Sequence, residues 1–178
     1  MKLKAQLLDE STIEKTIKRL SHEIIEKVDD LSNSVLIGIR RRGVPIAQEL
    51  AKYIKEFSGI SLPVGELDIT LYRDDLTTLS DSAVINGSNI PFEIKNKNVI
   101  LVDDVIFTGR TIRAAIDATF AQGRPSKIML CVLIDRGHRE LPIRGDFVGK
   151  NIPTSKNELI AVNILELDGR QSVEIWEK

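Results

Sequence analysis

The chain has 178 residues, 42% apolar and 29% charged, which suits one domain with a sizeable core and excludes a disordered or polyelectrolyte chain. Its net charge is −1, so any nucleic-acid surface must arise from local segregation of charge. Met1 to Asp9 lacks the apolar run of a secretory leader, no stretch nears the ~20 apolar residues of a bilayer span, and the lone Cys131 has no internal disulfide partner; together these predict a soluble cytoplasmic protein.

Asp9 or Ser11 can cap a first helix, and Ser11 with Glu14 fits a capping box. Ile13, Ile17, Leu20, Ile24 and Val28 recur at helical spacing and predict a core face. Lys15, Lys18, Arg19 and His22 form a separate basic stripe, readable either as a solvated face beside Glu14, Glu23 and Glu26 or as a phosphate-contacting surface. Ser34 to Ile39 reads as a buried strand. Arg40-Arg41-Arg42-Gly43-Val44-Pro45 follows it, and a helix runs from Ile46 to Phe57 with its stop at Ser58-Gly59. Three arginines at a strand-to-helix junction repel one another unless an anion sits between them. Leu62 to Leu71 is expected to be a strand, and the polar stretch from Leu76 to Pro91 a long loop of the kind that forms lids.

Val99-Ile100-Leu101-Val102-Asp103-Asp104-Val105-Ile106-Phe107-Thr108-Gly109-Arg110-Thr111 carries the densest chemistry. Val99 to Val102 reads as a buried strand, the acidic pair as the point where it leaves the core, and Ile112 to Gln122 as a helix. A helix N-terminus offers unpaired N–H groups and a positive dipole end to a phosphate. Gly109 permits close approach of an anion, and Thr108 and Thr111 add hydroxyl donors. The two carboxylates suit ribose hydroxyls or a hydrated Mg²⁺. Lys127 to Ile134 is a further strand, so strands and helices alternate as in a parallel α/β sheet, whose ligands sit at the strands' carboxyl ends. Residues 40–43, 72–73, 103–111 and 135–136 all follow strands. Asp135 to Ser155 has little period; Leu159 to Leu165 and Val173 to Trp176 are the last expected strands.

The 99–111 string resembles the phosphoribosyl pyrophosphate (PRPP) motif of the type I phosphoribosyltransferases. That resemblance implies a type I phosphoribosyltransferase fold: a central, mainly parallel sheet flanked by helices, with a flexible lid loop and a small hood. It implies a single domain over 1–178, with a core at about 10–134, a lid at about 72–92 and a hood at about 135–178. Glu66 to Leu76, DRGHRELPIR from Asp135 and VGKNIPTS from Val148 also closely resemble the bifunctional pyrimidine operon attenuation regulators. Membership there implies uracil phosphoribosyltransferase activity, uracil plus PRPP giving UMP and pyrophosphate, with Mg²⁺ held mainly by PRPP. It also implies UMP- or UTP-dependent binding of pyr operon leader mRNA to promote transcription attenuation, and assembly into homodimers and higher homo-oligomers. A hypoxanthine-guanine phosphoribosyltransferase stays open as the alternative, because Asp146 to Gly149 (DFVG) resembles that family too.

The roles that follow from the resemblance place Asp103, Asp104 and Arg73 in catalysis, with no direct metal ligand set, and Val99 to Thr111 around PRPP and nucleotide. Arg41, Arg42 and Gly43 would face pyrophosphate, and Val148, Lys150 and Arg136 the base. Lys18, Arg19, His22, His138, Arg139, Arg144 and Lys150 are the RNA candidates; the two histidines are too far apart in sequence to suggest a metal site.

Overall fold

The computed structural model describes residues 1–73 and 87–178. Most of the expected lid, with Asp74 and Asp75 at its root, lies outside the described residues. In chain order the elements are β1 (Lys2–Leu8), α1 (Glu10–Lys27), β2 (Ser34–Ile39), α2 (Gly43–Ser58), β3 (Val64–Leu67), β4 (Asn98–Ile106), α3 (Arg110–Gln122) and β5 (Lys127–Asp135). They continue as β6 (Phe147–Asn151), β7 (Glu158–Asn163), α4 (Leu165–Asp168) and β8 (Ser172–Glu177).

Five strands form a wholly parallel sheet in the order β3-β2-β4-β5-β6. Its central strands are apolar on both sides because both faces are covered. Leu36, Ile100, Val102, Cys131 and Leu133 pack under α1 and α2, whereas Val35, Ile37, Val99, Leu101 and Val132 pack under α3. Asp9 caps α1 by accepting from the Thr12 N–H at 2.8 Å, so the cap is Asp9 and not the Ser11 box. Gly59, at φ +75°, closes α2. A second sheet, antiparallel in the order β1-β8-β7, makes the hood. Its inner residues Ile160, Val162, Val173 and Ile175 merge with the α1–α2 side of the core.

Four expectations shift. The strand expected over Leu62–Leu71 is confined to Val64–Leu67; a 3₁₀ turn at Thr70–Tyr72 replaces its second half. β4 does not end at Val102: the ladder to β5 pairs Asp103 with Val132 and Val105 with Ile134 and so carries the acidic pair inside the strand. Residues 147–151, placed with the hood from sequence, extend the core sheet as β6. The hood instead recruits β1, which no sequence signal marked, and the strand expected to reach Leu165 stops at Asn163 and turns into α4.

Candidate active site

β2 and β4 deliver the two loops that matter to the same edge of the sheet. At the end of β2 the chain turns through Arg40–Gly43, with a cis peptide between Arg40 and Arg41, straight into α2. This turn lies tight against β4. A Cβ on Gly43 would stand 2.2 Å from the Val102 carbonyl oxygen and 3.3 Å from the Asp103 Cα. A Cβ on Gly38 would meet the Val44 Cα at 2.5 Å. Only glycine allows that approach.

Asp103 is buried and Asp104 half-buried. The carboxylates fold onto their own strand: the Asp104 N–H donates to Asp103 Oδ1 at 2.9 Å and the Val105 N–H to Asp104 Oδ1 at 2.9 Å. Burial, and then the neighbouring Asp104 charge, raise the Asp103 carboxyl well above the usual carboxylate range. Burial also raises Asp104, against the opposing pull of the Arg42 guanidinium.

Past β4, Gly109 takes a left-handed φ of +94° and opens α3. The Arg110 N–H donates to Thr108 Oγ1 at 3.3 Å. A cavity of about 350 Å³ opens over this turn, lined by Arg73, Thr108, Gly109, Arg110, Thr111 and Glu140 among others. The loop after β5 supports the turn. Glu140 and Leu141 donate their N–H groups to the Thr108 carbonyl at 2.9 and 3.2 Å, and Glu140 Oε2 accepts from Arg110 Nε at 2.7 Å. Arg139 braces it from below by donating to the Phe107 carbonyl at 2.7 Å and the Ile143 carbonyl at 2.8 Å, with an ion pair to Asp135. Glu140 carries no sequence signal, because its partner Arg110 lies on another element.

The remaining candidates separate by environment. Arg42 donates to the Val162 carbonyl at 2.7 Å and to Asp168 Oδ1 at 2.9 Å, so its guanidinium is committed to the hood. Arg41 is exposed at the loop's apex. Arg136 is buried, bonded to the Glu158 carbonyl at 2.7 Å and Thr154 Oγ1 at 3.2 Å, with its guanidinium 4.0 Å from the Phe107 ring centroid. It is a brace between Phe107, at the end of β4, and the start of the hood. A second cavity of about 350 Å³ lies beside it, lined by Asp135, Arg136, Gly137, His138, Asn151 and Thr154 among others. Val148 turns its side chain to the α3 side of the core, and Lys150 is exposed on β6.

The basic stripe of α1 is largely engaged within the chain. Lys18 pairs with Glu14 at 2.8 Å and lies over the Tyr53 ring; His22 stacks on Phe57 at 4.1 Å. Arg19 pairs with Glu23 and donates to the Gly149 carbonyl, which joins α1 to β6. His138 bonds the Thr154 carbonyl, and Arg139 is the brace described above. Arg144 and Lys150 are exposed. Among the described residues no group of three or more His, Cys, Asp or Glu is arranged to hold a metal ion, and no helix is long and apolar enough to cross a membrane.

The phosphoribosyl transferase domain matches residues 4–166 of the chain. The bifunctional protein PyrR of Clostridium perfringens is 58% identical over 177 residues, 99% of both chains. That of Pelotomaculum thermopropionicum is 57% identical over 174 residues, 98% of this chain and 96% of the relative. Among solved structures, a hypoxanthine-guanine phosphoribosyltransferase from Bacillus anthracis superposes with a TM-score of 0.70 at 21% identity, covering 98% of each chain. A hypoxanthine phosphoribosyltransferase of Trypanosoma cruzi gives 0.71 at 18%, covering 98% of this chain and 97% of that one. At those identities the two solved structures speak for the fold alone.

Proposed function

The chain belongs to the phosphoribosyl transferase family, within its bifunctional PyrR branch, and from that premise we propose that it joins uracil to the phosphoribosyl group of PRPP and binds pyr leader mRNA when a uridine nucleotide fills the same site. The observation that carries the reading is the contiguous Asp103-Asp104 pair and Thr108–Thr111 turn at the carboxyl edge of a parallel sheet, with the Arg41–Gly43 loop packed against it.

In this reaction uracil N1 bonds to the ribose anomeric carbon as the bond to pyrophosphate breaks, and the N1 proton leaves. The protein contributes position, charge and exclusion of water more than covalent chemistry. The 5′-phosphate sits on the α3 N-terminus and the Thr108 and Thr111 hydroxyls. Asp103 and Asp104 hold the ribose hydroxyls. Burial raises the Asp104 carboxyl above its ordinary range, which makes it a stronger proton acceptor for the departing N1 proton. Arg41 and Arg73 balance the departing pyrophosphate, and backbone groups of 148–150 border the base. Mg²⁺ would be held mainly by PRPP, with the Asp103 and Asp104 carboxylates, as hard oxygen groups nearby, facing its hydration shell. When bound, the ion neutralises pyrophosphate charge. A cytoplasmic site of action suits the nucleotide substrates and the buried thiol of Cys131.

The second activity uses UMP or UTP as the signal, the Thr108–Thr111 turn as its phosphate sensor, and the basic residues of α1 together with the exposed Arg144 and Lys150 as the RNA-contacting groups of a homo-oligomer. Two assays test the whole. Release of pyrophosphate from PRPP should require uracil and be far slower with hypoxanthine or guanine; the reverse preference overturns the base assignment. Leader RNA should be retained by the protein with UMP and less so without it; equal retention removes the sensor.

A further inference from the structure

Arg42 stands in the loop assigned to pyrophosphate, yet both of its described polar contacts lie in the hood. Nε donates to the Val162 carbonyl of β7 at 2.7 Å, and Nη2 to Asp168 Oδ1 at the end of α4 at 2.9 Å. Asp168 is itself fixed, because its Oδ2 accepts the Ile164 N–H at 2.9 Å. The elements around it are anchored by Val162 and Ile164, both buried in the core. At the other end, Gly43 has no room to move toward β4, where a Cβ would strike Val102.

We infer that Asp168 is a positioning residue for phosphoribosyl transfer: through Arg42 it holds the 41–43 loop against the carboxyl end of β4, at the pyrophosphate side of the site. The inference rests on the phosphoribosyltransferase reading above. The loop is gripped from two sides. Gly43 fits under β4, and the Arg42 fork ties it to the hood. A bidentate-capable guanidinium held by a carbonyl and a carboxylate keeps one orientation, which a lysine could not reproduce. The hood thereby clamps the leaving-group loop from outside the parallel sheet.

The test is a double-mutant cycle on the full chain with Asp168→Asn, Arg42→Ala and the pair, measuring PRPP binding by calorimetry with Mg²⁺ and steady-state kinetics with uracil. Asp168→Asn keeps an acceptor for the Ile164 N–H while removing the charge that holds Arg42. The expected result is a KM and Kd for PRPP raised about tenfold, a nearly unchanged KM for uracil, a native melting temperature, and partial rescue by Asp168→Glu. The double variant should be no worse than Arg42→Ala, because both changes cut one strut. Native PRPP affinity in Asp168→Asn, or losses that simply add, overturns the inference and leaves the family reading standing. No PRPP binding by the unaltered chain overturns both.

Discussion

The Asp103 carboxyl carries a thermodynamic cost that its chemistry requires. Its titration lies well above the ordinary 3.8 because burial and Asp104 disfavour the anion. A carboxyl raised on folding contributes fully below its unfolded value and loses that contribution as pH rises through the folded one. The pair titrates together, so the loss spreads over the range above about 4. Asp103→Asn should therefore raise the melting temperature, more at about pH 8 than at about pH 4.5, while turnover falls on the order of a hundredfold. Melting curves across pH with matched kinetics check both; a variant that loses stability as pH rises would contradict the assignment. Arg19 gives a second residue-scale outcome. A purely solvated place in the basic stripe would predict that Arg19→Glu weakens RNA binding and spares catalysis. Its bond to the Gly149 carbonyl changes that: a carboxylate there would face Glu23 and a carbonyl. Arg19→Glu should raise the KM for uracil as well as weaken RNA binding, whereas Arg144→Glu should weaken RNA binding alone. Filter binding and kinetics on both variants separate the two.

At the scale of elements, the junction of β2 with α2 has no slack. Gly43→Ala would drive a methyl into the Val102 carbonyl, and overpacking of that kind costs about 1–3 kcal/mol. β4 is paired on both sides, so the 41–43 loop is the part forced out of place, and activity should fall at least tenfold with a smaller effect on melting. Stability lost with activity retained would show that β4 yields instead. Which elements were legible follows from their surroundings. β2, β4 and β5 are continuous apolar runs because helices cover both faces, and α1 and α2 show a clear 3.6-residue period. β6 was not legible: FVGKN is an edge strand with one buried residue and a glycine. β1 was not legible either, because KLKAQLL is mostly exposed and acquires its meaning only by pairing with β8. The strand, turn and helix start around Val99–Thr111 could be read because their signals are local to thirteen consecutive residues. The Arg42 strut could not, because its partner Asp168 is 126 residues away and no spacing rule links them.

The whole molecule is two sheets sharing one core, and the hood depends on strands from both ends of the fold. Removing Lys2–Leu8 would leave β8 with a single neighbour and Glu158 without its Lys4 partner. Such a truncated chain should keep the far-ultraviolet signature of the core yet lose most uracil phosphoribosyltransfer and melt at a lower temperature. Full activity would show that β7 and β8 suffice as a roof. RNA binding is also a property of this scale. With a net charge of −1, attraction has to come from a local basic face, so affinity should drop steeply with added salt, and a flat salt response would point away from phosphate contacts.

The pairing of β1 with β8 also orders events in time. β1 is synthesised before every strand of the parallel sheet, and its partner β8 after all of them. The parallel sheet from β3 to β6 can assemble while β1 waits as an unpaired edge, vulnerable to wrong partners in a crowded cell. The β1–β8–β7 sheet is therefore completed only after the parallel sheet has been made, so the hood closes onto a core that already exists.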